Sequence, residues 1–352
     1  MIDTHAYQPS AWLVSPARWK IWFCGGDSAH TMGDSIFYTV ANPLTNHAEK
    51  PIRVLAPGNS DTAEDGLHAC APSVIKRTWN AADGGYLLYY ECARRIYDRA
   101  RNYSNDAGFT QICGATSDDG TAWRRLNNGA PLITAAPRVL ENCRYAFING
   151  RHTIDTGRPA CSLANQINNY GAGPPSAIVV ANGNSNAVWL YYYDSKGDWM
   201  QHGVYLAKSE DGINFGNAVK TNLPNDAHVK YFAGRFGGWN HVFVAATVIG
   251  KTNGILVSED GVDWLPADGS VIDAGIASNE HCAAPGTGEL VGDDANNLVS
   301  LSVAFLSSEG YLGTADQGEK SGCYAASEDR VRGGSWKTYV MQGEIRPVVR
   351  SR

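Results

Sequence analysis

Histidine recurs in this sequence at the head of similar segments. His5 lies four residues before Pro9-Ser10, His68 four before Pro72-Ser73 and His281 four before Pro285, while His228 heads Val229-Lys-Tyr-Phe232 without a proline. Tyr170 holds the corresponding place, four residues before Pro174 in Gly173-Pro-Pro-Ser176. A carboxylate accompanies the marker in four of these five segments: Asp3, Asp65, Asp226 and Glu280. Carboxylates brought together can divide into a general acid and a base or nucleophile when their surroundings push the pKa values apart. Imidazoles gathered round one axis can instead hold a divalent metal, directly or through waters. Any one of these side chains also suits a plainer role, capping the start of a strand. Recurrence at one offset is what favours a shared site.

The elements that must gather them are strands. Helical periodicity is scarce, and alternating aromatic-rich runs extend from end to end. A hairpin repeats as Ser117-Asp-Asp-Gly-Thr-Ala-Trp123, Ser209-Glu-Asp-Gly-Ile-Asn-Phe215 and Ser258-Glu-Asp-Gly-Val-Asp-Trp264, with a looser copy at Ser327-Glu-Asp329 and Trp336. Asp-Gly supplies the positive φ angles of a tight turn, and the ring that follows can fold back over it. One strand ends at each hairpin and a second precedes it, Trp19 to Cys24, Tyr86 to Tyr90, Val188 to Tyr193, His241 to Val248 and Leu298 to Phe305 among them. Markers spaced 63, 102, 58 and 53 residues apart give five strand-strand-hairpin units. Units too small to bury their own faces stack radially, which predicts an all-β, five-bladed β-propeller. The expected blades are 1–60, 61–165, 166–222, 223–275 and 276–352, a single domain over the whole chain. Loops entering the innermost strands then form one rim of a central funnel, where the markers converge.

The long second interval holds an insertion in blade two and its link to blade three. Ala93 to Tyr103 reads as a basic loop or short helix, and Asn142 to Asn169 is long and polar, with Arg144, Arg151, His152, Asp155 and Arg158. Long loops on a rigid scaffold often carry function, although a solvated excursion fits the composition nearly as well. Of the 352 residues, 43% are apolar and 18% charged, which excludes a disordered chain or a long coiled coil. The formal charge of -6 disfavours nucleic acid as a partner, and no apolar run is long enough for a membrane-spanning helix. Residues 1–10 lack the features of a secretory signal, so an extracellular, virion-associated or cytoplasmic place stays open. None of the eight cysteines forms a C-x-x-C pair; ordinary burial is the expectation for most of them.

Together these features resemble the five-bladed β-propeller glycoside hydrolases, the broad group containing families 32, 43, 62, 68, 117 and 130. The resemblance rests on the blade openings Gln8-Pro-Ser10, His68-Ala-Cys-Ala-Pro-Ser-Val-Ile75 and Gly173-Pro-Pro-Ser-Ala-Ile178, on the second strands Trp19-Lys-Ile-Trp-Phe-Cys-Gly-Gly26 and Tyr86-Leu-Leu-Tyr-Tyr90, and on the hairpins, which also look like the Asp-box of sialidases. It implies a poly- or oligosaccharide bound in the axial funnel and cleaved by carboxylate chemistry with no required cofactor. Asp3 would be base or nucleophile, Asp65 a pKa modulator or orienter, and Glu280 the acid. His5, His68, Tyr170, Asp226, His228 and His281 would bind substrate, or the four histidines would hold an axial metal such as Ca2+. One departure stands out: Ala172-Gly173-Pro174 occupies the place of the family's Glu-Gly-Pro, so Glu280 or Asp226 would have to substitute. Glu91, in Tyr90-Glu91-Cys92, looks like the Glu-Cys of family 32, yet its place at the end of a second strand predicts a position away from the axis. The alternative is a glycan-binding propeller without catalysis, such as an adhesin or phage tail component; a metal-dependent hydrolase built on the histidines is a third reading.

Overall fold

The computed structural model describes residues 7–15, 17–25, 34–42, 44–45, 47–60, 62–77, 85–99, 103–105, 109–155, 157–161, 169–182, 185–198, 200–224, 227–234, 238–249, 252–272, 283–285, 290–292, 301–310 and 336–345. Antiparallel meanders follow one another along the chain. The first holds β1 (Tyr7–Ser15), β2 (Arg18–Gly25) and β3 (Ser35–Asn42), with β4 (His47–Ala48) and β5 (Ile52–Leu55) both on β3. The second runs β6 (His68–Lys76), β7 (Tyr86–Ala93), β10 (Gln111–Ser117) and β11 (Arg124–Arg125). The third runs β14 (Ala172–Asn182), β15 (Ser185–Asp194), β16 (Gly203–Ser209) and β17 (Val219–Lys220). The fourth runs β18 (His228–Phe232), β19 (Val242–Ile249), β20 (Thr252–Ser258) and β21 (Leu265–Ile272). In the last sheet β24 (Leu301–Gly310) pairs with β22 (Ala283–Pro285), β23 (Leu290–Gly292) and β25 (Trp336–Ile345). First strands touch in succession, β1 on β6, β6 on β14 and β14 on β18, then β19 meets β22 and β24 returns to β1. Sheets joined face to face in a closed circuit are the arrangement of a β-propeller.

The insertion builds a sheet of its own. Its two segments supply β8 (Ile96–Asp98), β9 (Tyr103–Asn105), β12 (Ala146–Ile148) and β13 (Arg151–Ile154), with β13 and β8 parallel. The expectation of a loop or short helix over 93–103 is therefore corrected to paired strands. A short helix, α1 (Pro137–Asn142), packs Val139 with Ile96, Phe109 and Ile154 into a satellite core.

Period-two alternation divides each inner sheet between two joints. All eight residues of β7 are buried. Leu88, Tyr90 and Cys92 face the first sheet, packing with Trp22 and Ile36, while Leu87 and Tyr89 face the third, packing with Val188 and Leu190. Two motifs singled out in the sequence bond across these joints. The Pro-Ser serine of each first strand accepts the next sheet's backbone N–H: Val74 to Ser10 (2.9 Å), Ala177 to Ser73 (2.8 Å) and Val229 to Ser176 (2.8 Å). Each Asp-Gly turn presents its glycine carbonyl to an aromatic donor of the preceding sheet: Trp22 to Gly120 (2.7 Å), Tyr89 to Gly212 (2.8 Å) and Tyr191 to Gly261 (3.0 Å). In all three turns the serine hydroxyl and two backbone N–H groups donate to the Asp119, Asp211 or Asp260 carboxylate, holding it below the usual carboxylate range. The glycines have φ of +87°, +75° and +75° and no room for a Cβ beneath the packed ring.

These joints give a direct test. Tyr89 is fully buried, so Tyr89→Phe leaves the Gly212 carbonyl unsatisfied and should cost about 1–2 kcal/mol in urea unfolding. An unchanged midpoint would mean that the hydrogen bond does not hold the second and third sheets together.

The cysteines depart from expectation. Cys24–Cys70, Cys92–Cys113 and Cys143–Cys161 are disulfides, so six of the eight are cross-linked rather than merely buried. Cys282 and Cys323 lie outside the described residues. The three bridges span separations of 46, 21 and 18 residues, respectively linking the first two sheets, adjacent strands of the second sheet, and the C-terminal end of α1 to the segment that follows the β12–β13 hairpin.

Candidate functional site

The described residues bring two of the predicted site residues together, and two unpredicted ones join them. His68 opens β6. Its Nδ1 lies 3.4 Å from the Asp34 carboxylate, just before β3, and its Nε2 lies 3.5 Å from the Glu91 carboxylate near the end of β7. The second Glu91 oxygen accepts the hydroxyl hydrogen of Tyr170. Backbone contacts fix both ends of this row. The Asp34 carbonyl accepts the N–H of Ala69 (3.1 Å), and the Tyr170 carbonyl accepts both the N–H (2.6 Å) and the hydroxyl (2.9 Å) of Thr110. The Cys24–Cys70 bridge, with Cα atoms 4.9 Å apart, ties the end of β2 to the start of β6 beside Asp34.

Glu91 thus occupies the space beside Gly173. A Cβ built on Gly173 would stand 2.5 Å from Glu91 Oε2, at a φ of +153°. Gly173 is the glycine that Ala-Gly-Pro shares with the family's Glu-Gly-Pro; the acid is lost at Ala172, and Glu91 of the neighbouring sheet lies against the next residue. The sequence placed Glu91 away from the axis; in the structure its side chain lies against two first strands, at His68 of β6 and Gly173 of β14, and is 6% exposed. The signal was in the sequence. Glu91 is the one charged residue in an otherwise apolar run that is buried on both faces.

Burial alone lowers the His68 pKa, but its bonds to Asp34 and Glu91 and their charges outweigh it and raise the group to about 9. His68 is consequently an imidazolium at neutral pH, with a carboxylate facing each ring nitrogen. In this arrangement His68 is an ion-pair partner of both carboxylates; holding a metal would require its neutral form. Among the described residues the one set of ligand atoms close enough to share an ion is Cys24, Asp34 and Cys70, whose sulfurs are joined to each other. Because the folded pKa exceeds the unfolded value near 6.5, this stabilisation is complete below about pH 6.5 and lost as pH rises through about 9, at most about 3 kcal/mol. Urea midpoints should fall across that window in the native protein and stay flatter in His68→Gln. A His68→Gln variant with the same alkaline loss would assign the loss elsewhere.

The other predicted residues stand apart. Asp65 is 2% exposed; its Oδ2 accepts from Tyr90 (2.9 Å) and from Arg125 Nε (2.7 Å). Tyr90 and Glu91 are consecutive in β7, so Asp65 lies against the opposite face of the strand from Glu91. Arg125 also donates to the Ala56 carbonyl (2.6 Å), so the structure gives Asp65 a tethering role between β7, β11 and the preceding loop. His228 is buried, but the inter-sheet bonds set its level. Val229 bonds to Ser176 as Ala177 does to Ser73, so His228 occupies the position of the Pro-Ser serine, five residues beyond the level of His68. Asp3, His5, Asp226, Glu280 and His281 lie outside the described residues.

A second polar network joins the insertion to the second sheet. Arg94 donates to Glu64 and to the Tyr145 hydroxyl, Gln111 donates to Glu64 (3.1 Å), and the Tyr145 hydroxyl lies 2.6 Å from His152 Nδ1. Burial and then the Arg94 charge hold the His152 pKa down. Nothing in the residue types alone marked Glu64, Gln111 or Tyr145, because their pairing depends on how the inserted sheet docks.

No protein-family model matches the sequence, and no curated protein matches it. Solved structures do match. An exo-inulinase from Aspergillus awamori is 11% identical over 98% of this chain and 65% of its own, with a TM-score of 0.53. Fructan 1-exohydrolase IIa from Cichorium intybus is 11% identical over 98% of this chain and 59% of its own, with a TM-score of 0.50. A third structure, described as a glycoside hydrolase, is 10% identical over 96% of this chain and 87% of its own, with a TM-score of 0.50. At these identities the likeness is one of fold: the chain is built on the β-propeller that glycoside hydrolases use.

Proposed function

We propose that the protein is a glycoside hydrolase-like propeller that takes a poly- or oligosaccharide at the end of the sheets where β6 and β14 begin, and acts on it by carboxylate chemistry. We read the five meanders as five blades. The observation that carries the proposal is the placement of Glu91 against Gly173, the residue after Ala172, where an acidic side chain was expected. Glycosidases use two carboxylates, one as acid and one as nucleophile or base. Glu91 faces two donors, the Tyr170 hydroxyl and the His68 imidazolium, and so suits the anionic member of such a pair. His68 and Tyr170 then act as positioning residues, with Asp34 holding His68 from the other side. The acid is assigned to Glu280 on its sequence placement, and Asp3, Asp226, His5 and His281 remain candidates for substrate contacts or, for Asp3, the second carboxylate. The scheme requires no cofactor. Three disulfides favour a protein that works in oxidising surroundings, which supports an extracellular or virion-associated place.

The second reading is a glycan-binding propeller without turnover. The enclosure of Glu91 and the tethering of Asp65 to Arg125 favour it. Release of new reducing ends from a panel of fructans, arabinans, xylans and pectic glycans separates the two. The hydrolase reading expects release from at least one of them, and binding with no release from any would establish the binder.

A further inference from the structure

The chain carries a formal charge of -6, yet its insertion is strongly basic. Residues 93–103 and 137–158 contain eight arginines and no lysine against three carboxylates, Asp98, Glu141 and Asp155. We infer that the inserted sheet is an anion-binding face for acidic glycans, those bearing uronate or sulfate groups. This inference rests on the carbohydrate reading above and names the class of ligand.

The strand pairing concentrates the charge. Thr153 pairs with Tyr97 and Ile154 with Asp98 on the parallel strands β13 and β8, so two residues earlier Arg151 and Arg95 come side by side. At the other end of the same pair, the Arg99 N–H bonds to the Ile154 carbonyl and its guanidinium donates to the Arg144 carbonyl at 3.3 Å, setting Arg99 beside Arg144. All four are exposed. Among the described residues Arg99, Arg144 and Arg151 form no ion pair, in contrast to Arg94, Arg125 and Arg138. Arg95 is held by the Gly66 carbonyl (2.8 Å), and the like charges of Arg99, Arg144 and Arg151 are destabilising unless something outside the sheet compensates them. Guanidinium groups match carboxylate and sulfate oxygens in a bidentate fork. On the Arg151 face the hairpin of β12 and β13 exposes Ile148 at 42%, while Phe147 pairs with His152 and packs its ring against that side chain on the other face. The guanidinium groups on this face offer paired partners for the acid groups of a glycan. The insertion docks on the second sheet through Arg94, Glu64 and Tyr145, so this face is anchored to the sheet that carries His68 and Glu91.

The test uses polygalacturonate and its fully methyl-esterified counterpart, which keeps the sugar and removes the charge. The native protein should bind the charged polymer about tenfold more tightly at low salt, and the preference should shrink on raising NaCl to half-molar. Arg144→Asn with Arg151→Gln removes two charges; Asn tolerates the φ of +45° found at Arg144, and the carbonyl that accepts Arg99 is retained. The double variant should lose about three- to tenfold in affinity for the charged polymer, with an unchanged Tm. Equal binding of both polymers, or no loss in the double variant, overturns the inference. Displacement of the polymer by single-stranded DNA at equal charge concentration also overturns it, and assigns the face to nucleic acid. None of these results touches hydrolysis, so the inference can fail while Glu91-dependent turnover stands. Retention of the charged polymer by a protein that releases no reducing ends would uphold the face and remove the hydrolase.

Discussion

Replacing Glu91 by glutamine is expected to lower turnover about 10²–10⁴-fold while glycan binding stays within a few-fold of native. Glutamine keeps the shape that fits beside Gly173 and can still accept the Tyr170 hydroxyl, so the fold and the rim of the site should survive. What disappears is the negative charge facing His68 Nε2. The variant therefore also has a titration signature: with one of its two carboxylate partners gone, His68 should titrate below its native value of about 9, observable by NMR of the imidazole. The two readouts separate roles. A shifted His68 with unchanged turnover would leave Glu91 a structural ion-pair partner and return the reactive carboxylates to Asp3 and Glu280.

Gly173→Ala is expected to be the most damaging small substitution near the site. The added methyl would lie 2.5 Å from Glu91 Oε2 and 3.0 Å from its Cδ and Cγ, at a φ of +153° that L side chains rarely adopt. Crowding and backbone strain together should cost about 2–4 kcal/mol in urea unfolding, and the displaced carboxylate should take activity with it. The double substitution Gly173→Ala with Glu91→Ala isolates the cause. Removing the carboxylate should recover more than half of the stability lost through crowding, a coupling that distant sites do not show. Additive losses would mean that the alanine strains the bulge between Ala172 and Pro175 on its own account and that Glu91 is not the neighbour that matters.

Much of the propeller was legible because its signals are local. The Ser-x-Asp-Gly hairpins form identical sets of hydrogen bonds at Asp119, Asp211 and Asp260, and the strand runs before them became β2, β7, β15 and β19. The Pro-Ser motifs were also real repeats, and they join sheets: Ser10, Ser73 and Ser176 each hold the next sheet. That is why His228 could not be placed by its distance from a missing proline. It replaces the serine itself. The site was less legible because it is made across sheets. Asp34 reaches His68 from another sheet, and Glu91 reaches Gly173 across the next joint. Asp65 was chosen for its proximity to His68; Tyr90 and Arg125 hold it on the other side of β7 from Glu91. The disulfides were hidden for the same reason, since Cys24 and Cys70 are 46 residues apart and carry no spacing motif.

The central claim is that Glu91, His68 and Tyr170 line the place where a sugar is held. A crystal structure of Glu91→Gln soaked with a cleavable oligosaccharide tests it most directly. The account predicts a sugar oxygen within hydrogen-bond distance of the residue 91 side chain, between the starts of β6 and β14. An ordered oligosaccharide bound elsewhere, with that side chain still sealed against Tyr170 and His68, would contradict it.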